Sequence, residues 1–499
     1  MMPSEPSPRC AAWSRDRFLR APGIAAVIPV SVVERALGAR GHGGDTVEHL
    51  EAMVFRGDQV VPGCGFAALG PAGVAAEVER AIAGGARAVI VEQGSGAAVP
   101  AGVRLFEVPD PLAAYRGVAT LWRRSLDVPV VAVAGAAGKT TTKELIASML
   151  SCSHRVWATP ASSNGRAEVA AVVLGARAEH QVVIVEIGIG RRGAMRPHLD
   201  VVQPTLGVMV SLGAEHLDGL GDEAGAVAEE CLLFDDVAGR GGTIAVNLDD
   251  PLVVDRVGRV EGGDRIGWTL EGSAAPGADG LGIATVYRGS LVDGRLHVRC
   301  GDVVVDLRPP IPGRHNLANM ACATAVAHHL GASAADIAAG LEAHFRPVPW
   351  RAELREVAGL ELICDYFNSN PVSVAPAVDL LVERRAARGG RAWACLGSMP
   401  DLAAAEAEAH RALADRLGAA GIDRVTIMGP AADHLLDRLR ARWPGIEAAE
   451  VADSDVVAEI LLRDARPGDV VLLKGSRRHR LEHVWTRLSA GAGASVPPA

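Results

Sequence analysis

The stretch VAVAGAAGKTTTKE, residues 131–144, decides how this chain is read. VPVVAVA (128–134) is an unbroken apolar run of the kind that forms a strand buried on both faces. It ends at Gly135, and a helical pattern follows from Thr140 to Leu150. A buried strand that turns through glycines into a helix aims backbone N–H groups and the positive end of the helix dipole at an anion. The spacing is G-x-x-G-K-T, shorter than the common phosphate loop, which has glycine where Val133 stands. Gly135, Gly138 and Thr141 then belong to a phosphate cradle. Lys139 is placed to reach the β- and γ-phosphates, and the Thr140 hydroxyl to bind Mg²⁺. An ordinary strand–helix turn requires none of these residues in register.

Lysine usage points the same way. Of 50 lysines and arginines, only three are lysines: Lys139, Lys143 and Lys474. Arginine serves here wherever a generic positive charge is enough, so the lysines mark places that need a compact ammonium. Lys474 closes the buried-strand run VVLLK and is expected to meet a substrate carboxylate or phosphate.

Around this motif, the 499 residues exceed one ordinary domain and fit about three. Hydrophobic residues make up 49% and charged residues 22%, which supports sizeable cores and excludes a disordered chain. A net charge of −9 argues against a nucleic-acid partner. Apolar runs are short and broken by Gly or Pro, so no membrane span is expected. The first residues, MMPSEPSPRC, lack the apolar core of a signal peptide. The eight cysteines contain no C-x-x-C pair, which fits reduced thiols in a cytoplasmic protein.

Residues 1–24 read as a flexible tail and 491–499 as a disordered one. Between them the pattern gives an N-terminal α/β block (25–126), a central block around the phosphate-loop strand (127–346) and a third block (347–490). In the first, strand-like 65–69 and 88–92 flank a helix at 75–83. In the second, further strands fall at 182–187, 206–212 and 243–248, antiparallel hairpins at 282–308 and a helix at 315–330. The boundary near 346 lies in HFRPVPWR (344–351), whose prolines separate two patterns. In the third, LELICDY, RAWACLG, RVTIMG and VVLLKGS alternate with helices at 372–385, 401–419, 431–442 and 478–489. That is a doubly wound, Rossmann-like α/β pattern.

With GKTTTKE as anchor, segments from about 55 to 490 resemble, in order, the Mur ligases, ATP-dependent enzymes that add amino acids to the peptidoglycan stem. Within them the resemblance is to the branch that adds D-alanyl-D-alanine to UDP-N-acetylmuramoyl-tripeptide. VVIVEIGIG (182–190) resembles the strand carrying the metal-binding glutamate, here Glu186. AEHLDGLG (214–221) resembles A-x-H-L-x-x-x-G and places His216, and NLDDP (247–251) resembles N-x-D-D-P. GRHNLANMACATA (313–325) resembles the adenine-side helix, with Asn316 and Asn319. Arg351 and CDYFNSNP (364–371) resemble the P-x-x-R and D-D-x-Y-N-A-N-P elements, which implies a ribose contact for Asp365 and substrate contacts for Asn368 and Asn370. LGSM (396–399), His410 and GDVVLLKGSR (468–477) resemble the last domain, with Lys474 and Arg477 on the substrate side.

The resemblance implies a three-domain α/β architecture with a central P-loop sheet domain. It implies ATP and Mg²⁺ as cofactors and an acyl-phosphate route to an amide. Lys139, Glu186, His216 and Arg351 would be catalytic, and Thr140, Glu186 and His216 would bind metal. The substrates would be a small carboxylic acid and an amine such as an amino acid or dipeptide, and a monomer is expected.

Four departures stand out. The uridine-gripping D-S/T-R motif is replaced by Arg56-Gly57-Asp58 ahead of Pro62-Gly63. The D-G-H-x-F loop that should follow is absent, and the chain runs GPAGVAAEVERA. The T-x-G-N-x-N-N segment is TPASSNG (159–165), keeping Thr159 and Asn164 as substrate-side residues. No lysine exists between 144 and 473, so the family's carbamylated lysine has no counterpart; Glu230 aligns there and is expected to supply the carbamate's charge to a metal. With its nucleotide machinery kept and its substrate grips changed, the chain is expected to be a diverged amide ligase of specialised metabolism. The alternative is an authentic tripeptide ligase, and a non-catalytic nucleotide-binding protein comes third.

Overall fold

The computed structural model describes residues 28–70, 74–270 and 280–491. The two expected tails lie outside these, apart from Gly491, which ends the last helix. The central sheet has nine strands. The phosphate-loop strand Val130–Ala134 lies inside it, parallel to Leu206–Met209 on one side and Val182–Glu186 on the other. Its residues alternate between two cores. Val131 and Val133 pack with Leu145, Met149 and Met320, while Val130, Ala132 and Ala134 pack with Leu199 and Phe234. Burial on both faces is what an unbroken Val/Ala run provides.

Helix Lys139–Leu150 is buried from Thr140 to Leu150, beneath Arg314–His329 and Ala334–His344. Strands Thr285–Val292, Arg295–Cys300 and Val303–Leu307 form the expected antiparallel edge. Thr285–Val292 also pairs in parallel with Asp264–Leu270, a strand the sequence reading passed over.

The third sheet has six strands. Val470–Lys474 runs parallel between Leu360–Asp365 and Ala392–Gly397, and Arg424–Met428 and Glu447–Glu450 follow in parallel. Glu353–Val357 closes one edge antiparallel. The N-terminal block forms a four-stranded parallel sheet, Met53–Val54, Gly65–Ala67, Ala88–Glu92 and Arg104–Val108. Helix Pro111–Arg124 fastens it to the central block by packing on Arg166–Gly175 and Met195–Val202. Trp122 Nε1 donates to the Ala176 carbonyl at 2.9 Å, and Arg123 Nε donates to that of Val202 at 2.9 Å.

Among the described residues, no helix is long and apolar enough to cross a membrane, and the cysteines are free.

Candidate active site

Gly135 and Gly138 turn the chain out of the strand with φ of 124° and 82°. A Cβ on Gly135 would stand 2.5 Å from the Ser211 carbonyl oxygen, and one on Gly138 2.8 Å from Val210 Cγ1. Only glycine serves at both places. Gly138 caps helix Lys139–Leu150 with no side chain, so the first N–H groups of a buried helix face the cleft and are left to an anion.

That cleft has a volume of about 550 Å³ and lies between the central and third sheets. From the central block it is lined by Gly138, Lys139, Thr140, Thr141, Asn164, Glu186, His216, Asn316 and Asn319. From the third come Arg351, Asp365, Asn368, Asn370 and Lys474. Gly135, Thr159, Glu230 and Arg477 are not part of its wall.

Lys139 bonds the Gly135 carbonyl and approaches Glu215 Oε1 at 3.4 Å. Burial pulls its ammonium down, but the charges of Glu215, Glu230 and Glu186 outweigh that and hold it above the ordinary lysine value. Glu186 Oε1 accepts from Thr140 Oγ1 at 3.0 Å and from Asn164 Nδ2 at 2.7 Å. Its Oε2 is buried with no hydrogen-bond partner. A buried, unpartnered carboxylate oxygen beside a threonine hydroxyl and a phosphate cradle is the hard oxygen environment Mg²⁺ takes. Thr140 and Glu186 therefore fit that ion. Among the described residues no three His, Cys, Asp or Glu side chains gather as a metal cluster, so phosphate oxygens and water would complete the shell.

Arg351 reaches across from the third block. One of its terminal nitrogens donates to Ser162 Oγ at 2.8 Å, and its guanidinium lies 4.2 Å from the centre of the Phe367 ring. Ser162 in turn lies 2.9 Å from Thr140 Oγ1. Asp365 and Lys474 face each other at the ends of adjacent parallel strands, 3.2 Å apart. Lys474 also donates to the Asn368 carbonyl at 2.5 Å, and burial pulls its ammonium down.

Several of the expected residues make contacts that the motifs do not reveal. Glu230 is not on the cleft wall: it is 2% exposed and accepts the Gly135 N–H at 3.1 Å. Burial pushes its carboxyl up to about 8, against the pull of Lys139 and with the push of Glu215. Asn370, expected on substrate, lines the cleft with its side chain also bonded within the protein. Its Oδ1 caps helix Pro371–Arg388 and its Nδ2 donates to the Ala136 carbonyl at 3.1 Å. Thr159 lies behind the cleft and accepts the Glu186 N–H at 2.9 Å. Arg477 stacks 4.0 Å over Trp350, outside the cleft. His216 lines the cleft as the sequence reading placed it, with its Nδ1 3.4 Å from Asp401 Oδ2. Lys143 is fully buried and structural, donating to Glu144 (2.7 Å) and to the carbonyls of Thr159 (2.5 Å) and Ala161 (2.8 Å).

Ser162, Glu215, Phe367 and Asp401 were missed as site residues. Each is tied to a predicted residue only across the fold, although Ser162 and Glu215 stand inside the quoted motifs. In the N-terminal block, Arg56 and Asp58 form an exposed fork with each other, at 3.0 and 2.8 Å.

Comparison with known proteins agrees with this geometry. The Mur ligase middle domain matches residues 133–327, and the Mur ligase glutamate ligase domain matches 350–477. A UDP-N-acetylmuramoyl-tripeptide–D-alanyl-D-alanine ligase of Synechocystis is 29% identical, over 84% of this chain and 87% of its own length. That of Escherichia coli K12 is 28% identical, over 87% and 93%. The solved MurF of Acinetobacter baumannii superposes with a TM-score of 0.78 at 20% identity, covering 93% of this chain and 99% of that one. MurF of Thermotoga maritima in complex with ADP gives 0.72 at 22%, covering 89% and 98%. These two share its fold. With both ligase domains matched in order around the cleft they line, the chain belongs to the Mur ligase family and is an ATP-dependent ligase.

Proposed function

We propose that the chain joins a carboxylic acid to an amine in the manner of a UDP-N-acetylmuramoyl-tripeptide–D-alanyl-D-alanine ligase, with release of ADP and phosphate. The observation that carries this is the meeting of Lys139, Thr140 and Glu186 with Arg351, Asp365 and Lys474 in one cleft between two sheets. The similarity to so-named ligases spans most of the chain, which favours peptidoglycan synthesis over specialised metabolism.

A substrate carboxylate oxygen attacks the γ-phosphorus, the bond to the bridging oxygen breaks, and ADP leaves. The amine then attacks the acyl carbon, phosphate departs, and the amine sheds a proton. The Lys139 ammonium, the N–H groups after Gly138 and the Arg351 guanidinium stabilise the charge that moves through the phosphoryl group. Mg²⁺ held at Thr140 and Glu186 would supply further neutralisation of phosphate charge. Asp365 is assigned to the ribose and Asn316 and Asn319 to the adenine side, which their places on the cleft wall support. The contacts of Arg351 with Ser162 and of Asn370 with Ala136 draw the third block over the cleft, which keeps water from the acyl phosphate. The N-terminal block (25–126) is assigned the acid substrate, the central block ATP and the third block the amine, in a monomer acting in the cytoplasm.

Hydroxylamine trapping tests the first step. Incubation with ATP and UDP-N-acetylmuramoyl-tripeptide should give the hydroxamate of that tripeptide and an equal amount of ADP. AMP and pyrophosphate as products would contradict it. One observation favours a second reading, a ligase for another acid: the Arg56–Asp58 fork is closed on itself where the family grips uridine. Trapping of a different acid, with none of the tripeptide, would select that reading.

A further inference from the structure

Helix Glu223–Gly239 packs against strand Val130–Ala134 and brings the Glu230 carboxyl to the start of the phosphate loop. Both polar groups of Gly135 are taken: the N–H donates to Glu230 Oε2 at 3.1 Å, and the carbonyl accepts from Lys139 Nζ. Glu230 Oε1 is buried without a partner. Lys139 meets Glu215 as well, so the loop and two buried carboxyls hold a lysine that opens onto the cleft. Gly135 sits at a φ of 124°, and glycine has the widest backbone freedom of any residue. A fixed acceptor for its N–H therefore decides whether the loop holds its shape.

A metal ligand at this place fits poorly. Glu230 lies off the cleft wall, so the phosphate oxygens and water that would complete a metal's shell at Glu186 are not at hand, and no third carboxyl or imidazole gathers there among the described residues. We propose that Glu230 is a positioning residue that fixes the Gly135 N–H, and through it the phosphate loop and Lys139, and is not a ligand for a second metal ion. This rests on residues 135–140 forming the phosphate loop.

ADP binding by titration calorimetry tests it, in EDTA and in Mg²⁺, on the full chain with Glu230→Ala and Glu230→Gln. Losing a buried N–H acceptor should weaken ADP binding about tenfold in Glu230→Ala, equally with and without the metal. Glutamine offers a carbonyl oxygen to the same N–H and should restore binding to within about threefold of the wild type in both buffers. Losses confined to Mg²⁺ would overturn the proposal, as would unchanged affinity in a folded alanine variant or a glutamine variant as weak as alanine. If the alanine variant does not fold, glutamine decides alone: rescue in both buffers supports the proposal, and a loss of about tenfold in either overturns it. A wild-type chain that binds no ADP would instead refute the phosphate-loop assignment itself.

Discussion

Replacing Arg351 with alanine probes the joint between the two sheets at the point of chemistry. Two ground-state contacts go with the side chain: the bond to Ser162 Oγ at 2.8 Å and the packing 4.2 Å over Phe367. A charged hydrogen bond contributes about 1.5–3 kcal/mol and a cation–π contact about 0.5–2 kcal/mol. Against these losses, removing the side chain relieves the cost of burying its charge, so the net fall in stability should be about 2 kcal/mol. Turnover should suffer more. Arg351 Nε is buried without a partner, a donor held in reserve for a ligand. Removing a preorganised donor to a transition-state oxyanion typically costs about 3–4 kcal/mol, or 10²–10³ in kcat. Coupled ADP release at saturating ATP, with ADP binding measured in parallel, separates the two effects. The variant should lose about 10²–10³ in kcat and far less in ADP affinity. A folded Arg351→Ala protein with kcat within about threefold of the wild type would refute the placement of Arg351 on the transferring phosphoryl group.

The two loop-proximal lysines should separate cleanly. Lys139→Ala should abolish ATP-dependent turnover while the melting curve stays cooperative, because its ammonium faces the cleft. Lys143→Met should instead lower stability by about 3–5 kcal/mol, since it strands Glu144 and two carbonyls in the interior, and chemical denaturation will show it. His198 governs an acid-side loss of stability. Burial first, then the charges of Arg116 and Arg166, lowers its imidazole from 6.5 to about 4. The neutral ring's contribution is thus fully present above pH 6.5 and disappears as pH falls towards 4, about 3 kcal/mol in all. His198→Gln should flatten the decline of Tm across that window, and an unchanged slope would count against it.

The phosphate loop was legible because strand, glycines, lysine and threonine lie together in sequence, and each has a local physical reason to be there. Glu186 was legible as the acid closing the adjacent buried strand. The Asp365–Lys474 pair was half legible: each residue stood out, but their facing each other is a matter of sheet register between strands more than a hundred residues apart. The contact of Glu230 was not legible because alignment gives a position and not a direction. Its helix turns the carboxyl to the Gly135 N–H, and only the fold shows which wall it serves. Asn370 lines the cleft, but its role as a helix cap is a second use of the same side chain that the motif does not reveal. Strand Glu447–Glu450 was passed over because an exposed edge strand reading EAAE carries no apolar alternation.

The most direct measurement is ligation itself. The purified chain is given ATP, Mg²⁺, UDP-N-acetylmuramoyl-tripeptide and D-alanyl-D-alanine, and the products are identified by mass while ADP is counted. The expected result is the UDP-N-acetylmuramoyl-pentapeptide with ADP formed in equal amount, and no pentapeptide or sustained ADP release when either substrate is left out. ADP release that ignores both substrates, or no pentapeptide from a chain that binds ATP, would contradict it.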